Sequence, residues 1–202
     1  MDWNRLADDA SLEKTAMALR EKGMDVVVVK NRTEAKAKAL DLISPGSEVL
    51  ALTSVTLEET GIAKEIESGG RCVSVRRKIT SINDKAERER MRRIGSASDC
   101  AIGSVHAVTE EGQVVIASQS GSNLSPYAFS AARVIWVVGT QKIVKNLDDA
   151  FRRLREHCLP LEDARAKKAY GVGSSINKIL VVEKEISPNR ISMILVSEKL
   201  GF

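Results

Sequence analysis

The sequence predicts an α/β fold built on a mostly parallel, mixed sheet, and three observations carry that expectation. Short Val-rich runs at 26–29, 114–117 and 134–138 contain no polar residue, as expected of strands buried on both faces, which have no polar side to offer water. Segments with helical spacing alternate with such runs, the grammar of βαβ units. From Cys100 the pattern changes to two strand-like runs, 101–109 and 113–118, separated by Glu110-Glu111-Gly112; this reads as a tight hairpin turn and makes the sheet mixed.

Taken in order, Leu6, Ala10, Leu12, Ala16 and Leu19 form an apolar stripe stopped by Gly23, so residues 1–23 are an amphipathic helical arm. Residues 24–30 are a strand, Thr33 caps a helix ending at Leu42, and the turn Ser44-Pro45-Gly46-Ser47 leads into a strand at 48–52. A helix at 57–67 and a strand at 71–75 extend the alternation. After the hairpin, 133–138 is a buried strand and Asn146 caps a helix through Cys158. The runs 178–183 and 191–197 are expected to close the chain as a second hairpin. No internal repeat or linker interrupts residues 1–202, so one domain is expected.

At 202 residues the chain is long enough to bury on the order of 70% of the surface its unfolded form exposes. No apolar run approaches the roughly 18 residues needed to cross a bilayer. Met1-Asp2-Trp3-Asn4 is not the basic-then-apolar start of a secretory signal, so a cytoplasmic location is expected. Cys72, Cys100 and Cys158 are odd in number and lack CxxC spacing, which argues against a disulfide framework and against a thiolate metal site; they read as small buried residues. The 31 Lys and Arg against 27 Asp and Glu leave a net charge of +4. The densest basic stretch, 76–93, interleaves acids at helical spacing, with Asp84 four before Arg88 and Glu89 four before Arg93, as on a solvated helix face. With aromatics at 3% of the chain, stacking platforms for single strands are missing and a nucleic-acid partner is not expected.

In open α/β sheets ligands sit beyond the carboxyl ends of the strands. Three loops qualify. The first carries Thr53, Ser54 and Thr56, although Thr56 with Glu59 also spells a T-x-x-E capping box that accounts for part of it without a ligand. The second, with Ser118, Ser120, Gly121, Ser122 and Asn123, is the better anion seat: Gly121 permits close backbone approach, and Ser125-Pro126 reads as the cap and first residue of an acid-free helix start. The third carries Gly139 and Lys142, the latter a point charge for an anionic ligand or a plain surface lysine. His106, on the strand after Gly103-Ser104, and Glu110 are the candidate acid or base, while His157 reads as solvent-facing. Two histidines 51 positions apart make no metal-site pattern. Without GxGxxG, Walker A or GxSxG, no dinucleotide, P-loop or hydrolase reading applies.

The stretches 54–61 (Ser-Val-Thr-Leu-Glu-Glu-Thr-Gly), 107–112 (Ala-Val-Thr-Glu-Glu-Gly), 134–139 running on through Lys142-Ile143-Val144 to Leu147 and Ala150, and 194–202 (Ile-Leu-Val-Ser-Glu-Lys-Leu-Gly-Phe) resemble, in order, the lactate-utilisation (LUD) domain family, related to lactate utilisation protein C. The resemblance implies a three-layer α/β/α sandwich similar to the NagB/RpiA/CoA-transferase group and a link to oxidation of lactate to pyruvate. Many relatives carry a cysteine cluster ending in S-P-x-R-I-C. Here Ser187-Pro188-Asn189-Arg190-Ile191-Ser192 keeps the frame with Ser192 in place of the cysteine, which puts an iron-sulfur or other metal role of that segment in doubt and leaves the cofactor unknown. Two functional expectations follow. One is an enzyme or enzyme subunit binding a small anionic metabolite or nucleotide-like ligand; the other is a non-catalytic subunit organising an iron-sulfur or flavin oxidoreductase partner. A homo-oligomer is left open.

Overall fold

The computed structural model describes residues 2–202. Ten strands form among the described residues, in chain order: β1 (Asp25–Val29), β2 (Glu48–Ala51), β3 (Val73–Ser74), β4 (Cys100–Gly103), β5 (Ala107–Thr109), β6 (Val114–Ser118), β7 (Arg133–Gly139), β8 (Ile143–Val144), β9 (Lys178–Val182) and β10 (Ile191–Val196). Six of them make one sheet in the order β1-β10-β7-β4-β2-β3, and every pairing in it is parallel. The remaining four make a smaller sheet, β8-β5-β6-β9, antiparallel except where β5 meets β8. The fold class is as expected. What the sequence reading left unresolved is where the mixture lies: the antiparallel pairs occupy a sheet of their own.

The absence of a polar side on the strands has a direct structural counterpart. Val134, Trp136 and Val138 of β7 join one apolar cluster while Ile135 and Val137 join another, and β10 divides in the same way. Successive side chains point to opposite faces, so both faces of the six-stranded sheet are covered. On one lie α2 (Arg32–Asp41), α3 (Val55–Glu59) and α4 (Ile62–Ser68), through Ala35, Ala39, Leu57, Ile62 and Ile66. On the other lie α1 (Asp9–Glu21) and α5 (Val75–Thr80), together with Val108, Val114 and Ile116 of the smaller sheet. This is the three-layer arrangement. Truncating one of the fully buried branched side chains between layers, such as Ile135, to Ala is worth about 2–5 kcal/mol.

Several local expectations are corrected. The run 101–109 is not one strand: it leaves the large sheet at Gly103 and enters the small one at Ala107. A Cβ at Gly103 would overlap the Tyr127 hydroxyl, so only glycine lets the chain pass under that ring. Likewise 178–183 and 191–197 are not a hairpin, because β9 pairs with β6 while β10 inserts between β1 and β7. The helix expected at 57–67 is broken by Gly61 with φ 70°. The cap of α2 is Asn31, whose side chain accepts from Thr33 N and Glu34 N, rather than Thr33. In α6 (Lys85–Ile94) Asp84 is the N-cap, and the ion pairs run i to i+3, Glu87 with Arg90 and Glu89 with Arg92.

Other features agree with the sequence reading. Asn146 caps α7 (Leu147–Arg153) through Asp149 N, and the helical path continues through 154–158 into α8 (Leu159–Tyr170). The hairpin turn holds, with Gly112 at φ 80° and so close to α1 that a Cβ would lie 2.8 Å from the carbonyl carbon of Ala18. The cysteines are free and buried. Among the described residues no helix is long and apolar enough to cross a membrane.

Candidate functional site

Strands β2, β4 and β7 are neighbours and parallel, so the segments leaving their carboxyl ends must converge. They do so around a cavity of about 260 Å³ whose wall also includes the loop leaving β6. Three of the segments were expected; the fourth, 104–106, was read as strand interior. Its Ser104 now stands at the centre of the site.

The first loop differs from its sequence reading. Ser54, not Thr56, is the N-cap of α3, its hydroxyl accepting from Leu57 N at 3.4 Å. Thr56 is buried: its hydroxyl donates to Leu200 O at 3.2 Å and accepts from Lys142 Nζ at 3.1 Å. Glu59, the supposed partner in a capping box, accepts instead from Gly201 N at 2.8 Å. The motif therefore ties the segment 200–201 against α3. Gly201, at φ 58°, comes so close that a Cβ would overlap the Thr56 hydroxyl and stand 3.5 Å from Lys142 Nζ.

Lys142 is the principal finding of the site. One tight turn, Thr140–Lys142, follows β7 and carries the side chain inward, so that only 2% of the residue is exposed. Its ammonium donates to Thr56 and, at 3.0 Å, to Ser104 Oγ. It makes no salt bridge among the described residues. Burial, reinforced by the nearby positive charge of Arg153 and only weakly opposed by Cys158 and Glu59, lowers its pKa to about 7, as expected of an amine removed from water without a salt-bridge partner.

Arg153, absent from the sequence candidates, is entirely buried on α7. One terminal nitrogen donates to His106 O and, at 3.0 Å, to Cys158 Sγ. Its Nε and second terminal nitrogen have no partner among the described residues. A guanidinium stays charged, so a fixed positive charge is bonded to the wall residues His106 and Cys158. A signal was present in the sequence: Ala150, Leu154 and Cys158 recur at four-residue spacing, and Arg153 falls beside that stripe.

His106 lies in the bend before β5 rather than within a strand. Its Nδ1 accepts from Ala117 N at 3.2 Å, which places the ring proton on Nε2 in the neutral form. Burial first, and then the charges of Lys142 and Arg153, push its pKa down to about 3, so at neutral pH the ring is an uncharged donor. Glu110 is brought nowhere near the cavity. Its carboxylate accepts from Ser11 Oγ and Lys14 Nζ of α1, both at 2.9 Å, and these partners hold its pKa below the usual carboxylate range. His157, expected to face solvent, is half-buried, with an Nε2 that finds no partner among the described residues.

The loop after β6 contributes Ser118, Ser120, Ser122 and Asn123 to the cavity wall. Ser118 Oγ accepts from Gly121 N at 2.9 Å, and Ser120 Oγ donates to Ser122 Oγ at 3.0 Å. Gly121, at φ 91°, packs on the Lys178 side chain while Lys178 Nζ donates to Ser120 O at 2.9 Å; its role is to shape the loop. Ser125 is not an N-cap. It has helical dihedrals, its hydroxyl shares a 3.0 Å bond with Ser130 Oγ, and the following Pro126–Ser130 is one wide turn closed from Ala131 N to Pro126 O. The uncapped helix end proposed as an anion seat is therefore missing. Gly139, too, is structural: a Cβ there would overlap the Gln141 side-chain oxygen and approach Glu198 O at 2.7 Å.

A parallel sheet with a polar cleft at its strand ends, whose wall includes a buried lysine, defines the class: a three-layer α/β sandwich. The chain belongs to the LUD domain family, whose model matches residues 12–196. The family's link to lactate utilisation therefore holds for this chain at family level. Among solved structures, a DUF162 family protein from Deinococcus radiodurans is similar over 96% of this chain and 100% of that one, with a TM-score of 0.57 at 12% identity; at that identity the likeness speaks for the fold alone. A partial similarity to eIF2B beta from Chaetomium thermophilum covers 58% of this chain and 44% of that one, at 17% identity and a TM-score of 0.36. No curated protein sequence matches significantly.

Proposed function

We propose that the cleft binds a small anionic metabolite or nucleotide-like ligand, within a role connected to lactate utilisation. The observation that carries this reading is a pair of buried basic groups, neither salt-bridged to a carboxylate: Lys142 in the wall of a cavity lined by hydroxyls, and Arg153 bonded to the wall residues His106 and Cys158. Keeping unpaired positive charge away from water costs stability, and an anion in the cleft would recover it. Ser54 and the hydroxyls of Ser118, Ser120 and Ser122 are the donors such a ligand would meet, and the neutral His106 offers its Nε2–H.

A thermal-shift titration with lactate, pyruvate, phosphate and a nucleotide tests the reading. A ligand at 100 times its dissociation constant adds about 2.7 kcal/mol of stability, and that gain should vanish in Lys142→Met. A panel in which no anion stabilises the chain would sink it.

A second reading, a subunit that organises an iron-sulfur or flavin oxidoreductase partner, draws support from a different surface. Phe129 and Ile186 are 87% and 88% exposed and line one groove, where large apolar side chains are unusual without a partner. Co-purification of such a partner with the wild type, and its loss in Phe129→Asp, would favour this reading.

A further inference from the structure

We propose that Lys142 forms an imine with the carbonyl carbon of a small aldehyde or ketone that carries an anionic group, making this lysine the covalent anchor of the cleft. The inference rests on the anion-binding reading above and deepens it, because it names the class of ligand and the bond.

The geometry around the nitrogen is that of a nucleophile rather than of a structural ion pair. Thr56 commits its own hydroxyl proton to Leu200 O, so toward Lys142 its oxygen only accepts. Ser104 Oγ is the other partner, at 3.0 Å. A neutral amine can satisfy both with its two N–H groups, and its lone pair then remains unshared. Burial and the like charge of Arg153 outweigh the weaker attraction of Cys158 and Glu59 for the ammonium form, there is no salt bridge to it among the described residues, and the backbone at Gly201 closes over Nζ on one side. Desolvation together with a neighbouring cation is the setting in which lysine amines become nucleophilic near neutral pH. The side chain nonetheless forms part of the cavity wall, so the nitrogen is sequestered without being sealed off.

The step needs no oxidant or reductant. The amine lone pair adds to the carbonyl carbon as the carbon–oxygen π pair moves to oxygen, giving a carbinolamine. The carbon–oxygen bond then breaks, and the oxygen leaves as water with the two protons the amine brought. The product is a carbon–nitrogen double bond, and one water is released per ligand bound. The anionic group of the ligand would lie toward the serine hydroxyls of the loop after β6, under the field of Arg153.

Glyoxylate, an aldehyde carboxylate, and glycolate, its counterpart without a carbonyl, separate the two layers of the proposal. The full chain is incubated with glyoxylate and cyanoborohydride, and the reduced adduct is mapped by peptide mass spectrometry. We expect labelling of Lys142 at least about tenfold faster than that of the average surface lysine, since a larger share of its amine is unprotonated at neutral pH. Excess glycolate should suppress the label at Lys142 alone. If glyoxylate and glycolate both raise the melting temperature while Lys142 labels no faster than surface lysines, the imine is overturned and the anion seat stands. If neither ligand stabilises the chain and Lys142 is not preferentially labelled, both fall. Because the measurement is made on the wild-type chain, it does not depend on a Lys142 variant folding.

Discussion

Arg190 and Arg153 are both withdrawn from solvent, and they differ in how their donors are used. Arg190 gives one terminal nitrogen to Glu185 at 2.7 Å and to Tyr127 O at 3.2 Å, and the other to Pro126 O and Tyr127 O, each at 3.2 Å. Glu185 in turn accepts from Ser187 N at 2.8 Å. That cluster is closed: charge meets charge, and its guanidinium serves to bind the turn before β10 to the wide turn 126–130. Arg153 has only a carbonyl and a thiol as acceptors, two of its nitrogens lack partners among the described residues, and its charge acts on another basic group, Lys142. Buried charge by itself therefore says little. What separates the two is whether the donors are spent within the chain.

The comparison can be broken at either end. The largest effect is expected from Arg190→Ala, which strands Glu185 in a partly buried position and frees several carbonyls; chemical denaturation should show a loss of about 3–5 kcal/mol. A loss under 1 kcal/mol would mean the cluster is decorative. Lys142→Met should act in the opposite direction, stabilising the unliganded chain by about 1–3 kcal/mol, because a desolvated charge without a partner is replaced by an apolar side chain of similar length.

The pH dependence sharpens the same contrast. Lys142 has a folded-state pKa of about 7 against 10.5 for the free side chain, so between those values the unfolded chain holds a proton that the folded chain has released. The contribution of this group to stability therefore rises with pH through that window. The advantage of Lys142→Met over wild type should be greatest below about pH 7, where it levels off, and should shrink toward pH 10; an advantage independent of pH would contradict the burial argument. The smallest effect is expected at Glu110, whose partner Lys14 is largely exposed: Glu110→Gln should cost less than about 1 kcal/mol and leave ligand-induced stabilisation unchanged.

How much of this was legible in the sequence follows from what each signal depends on. The run at 134–138 was readable because a strand buried on both faces must be apolar throughout, a property of the segment itself; 26–29 looks the same in sequence, yet β1 is an edge strand whose Val28 is 43% exposed. Strand partners were not. The runs 178–183 and 191–197 read as the two strands of a hairpin, but which neighbours β9 and β10 find depends on distant edges left free by β6, β1 and β7. Thr56 and Glu59 match a capping motif letter for letter, yet the segment 200–201 claims both. Lys142 was a candidate by its position after a strand. Its burial, which makes it chemically distinctive, is imposed by Thr56, Ser104 and Gly201, from three other parts of the chain.

The placement of β10 also has a consequence for how the molecule is made. Its register with β1 pairs Asp25 with Ser192, so loop closure across most of the chain must precede that contact, a topology associated with slow folding. During synthesis β1 and β7 are complete well before the strand that belongs between them. Each must wait with an open hydrogen-bonding edge, the feature that recruits stray strands and seeds aggregation. The cleft is completed later still, when Leu200 and Gly201 arrive to close over Thr56.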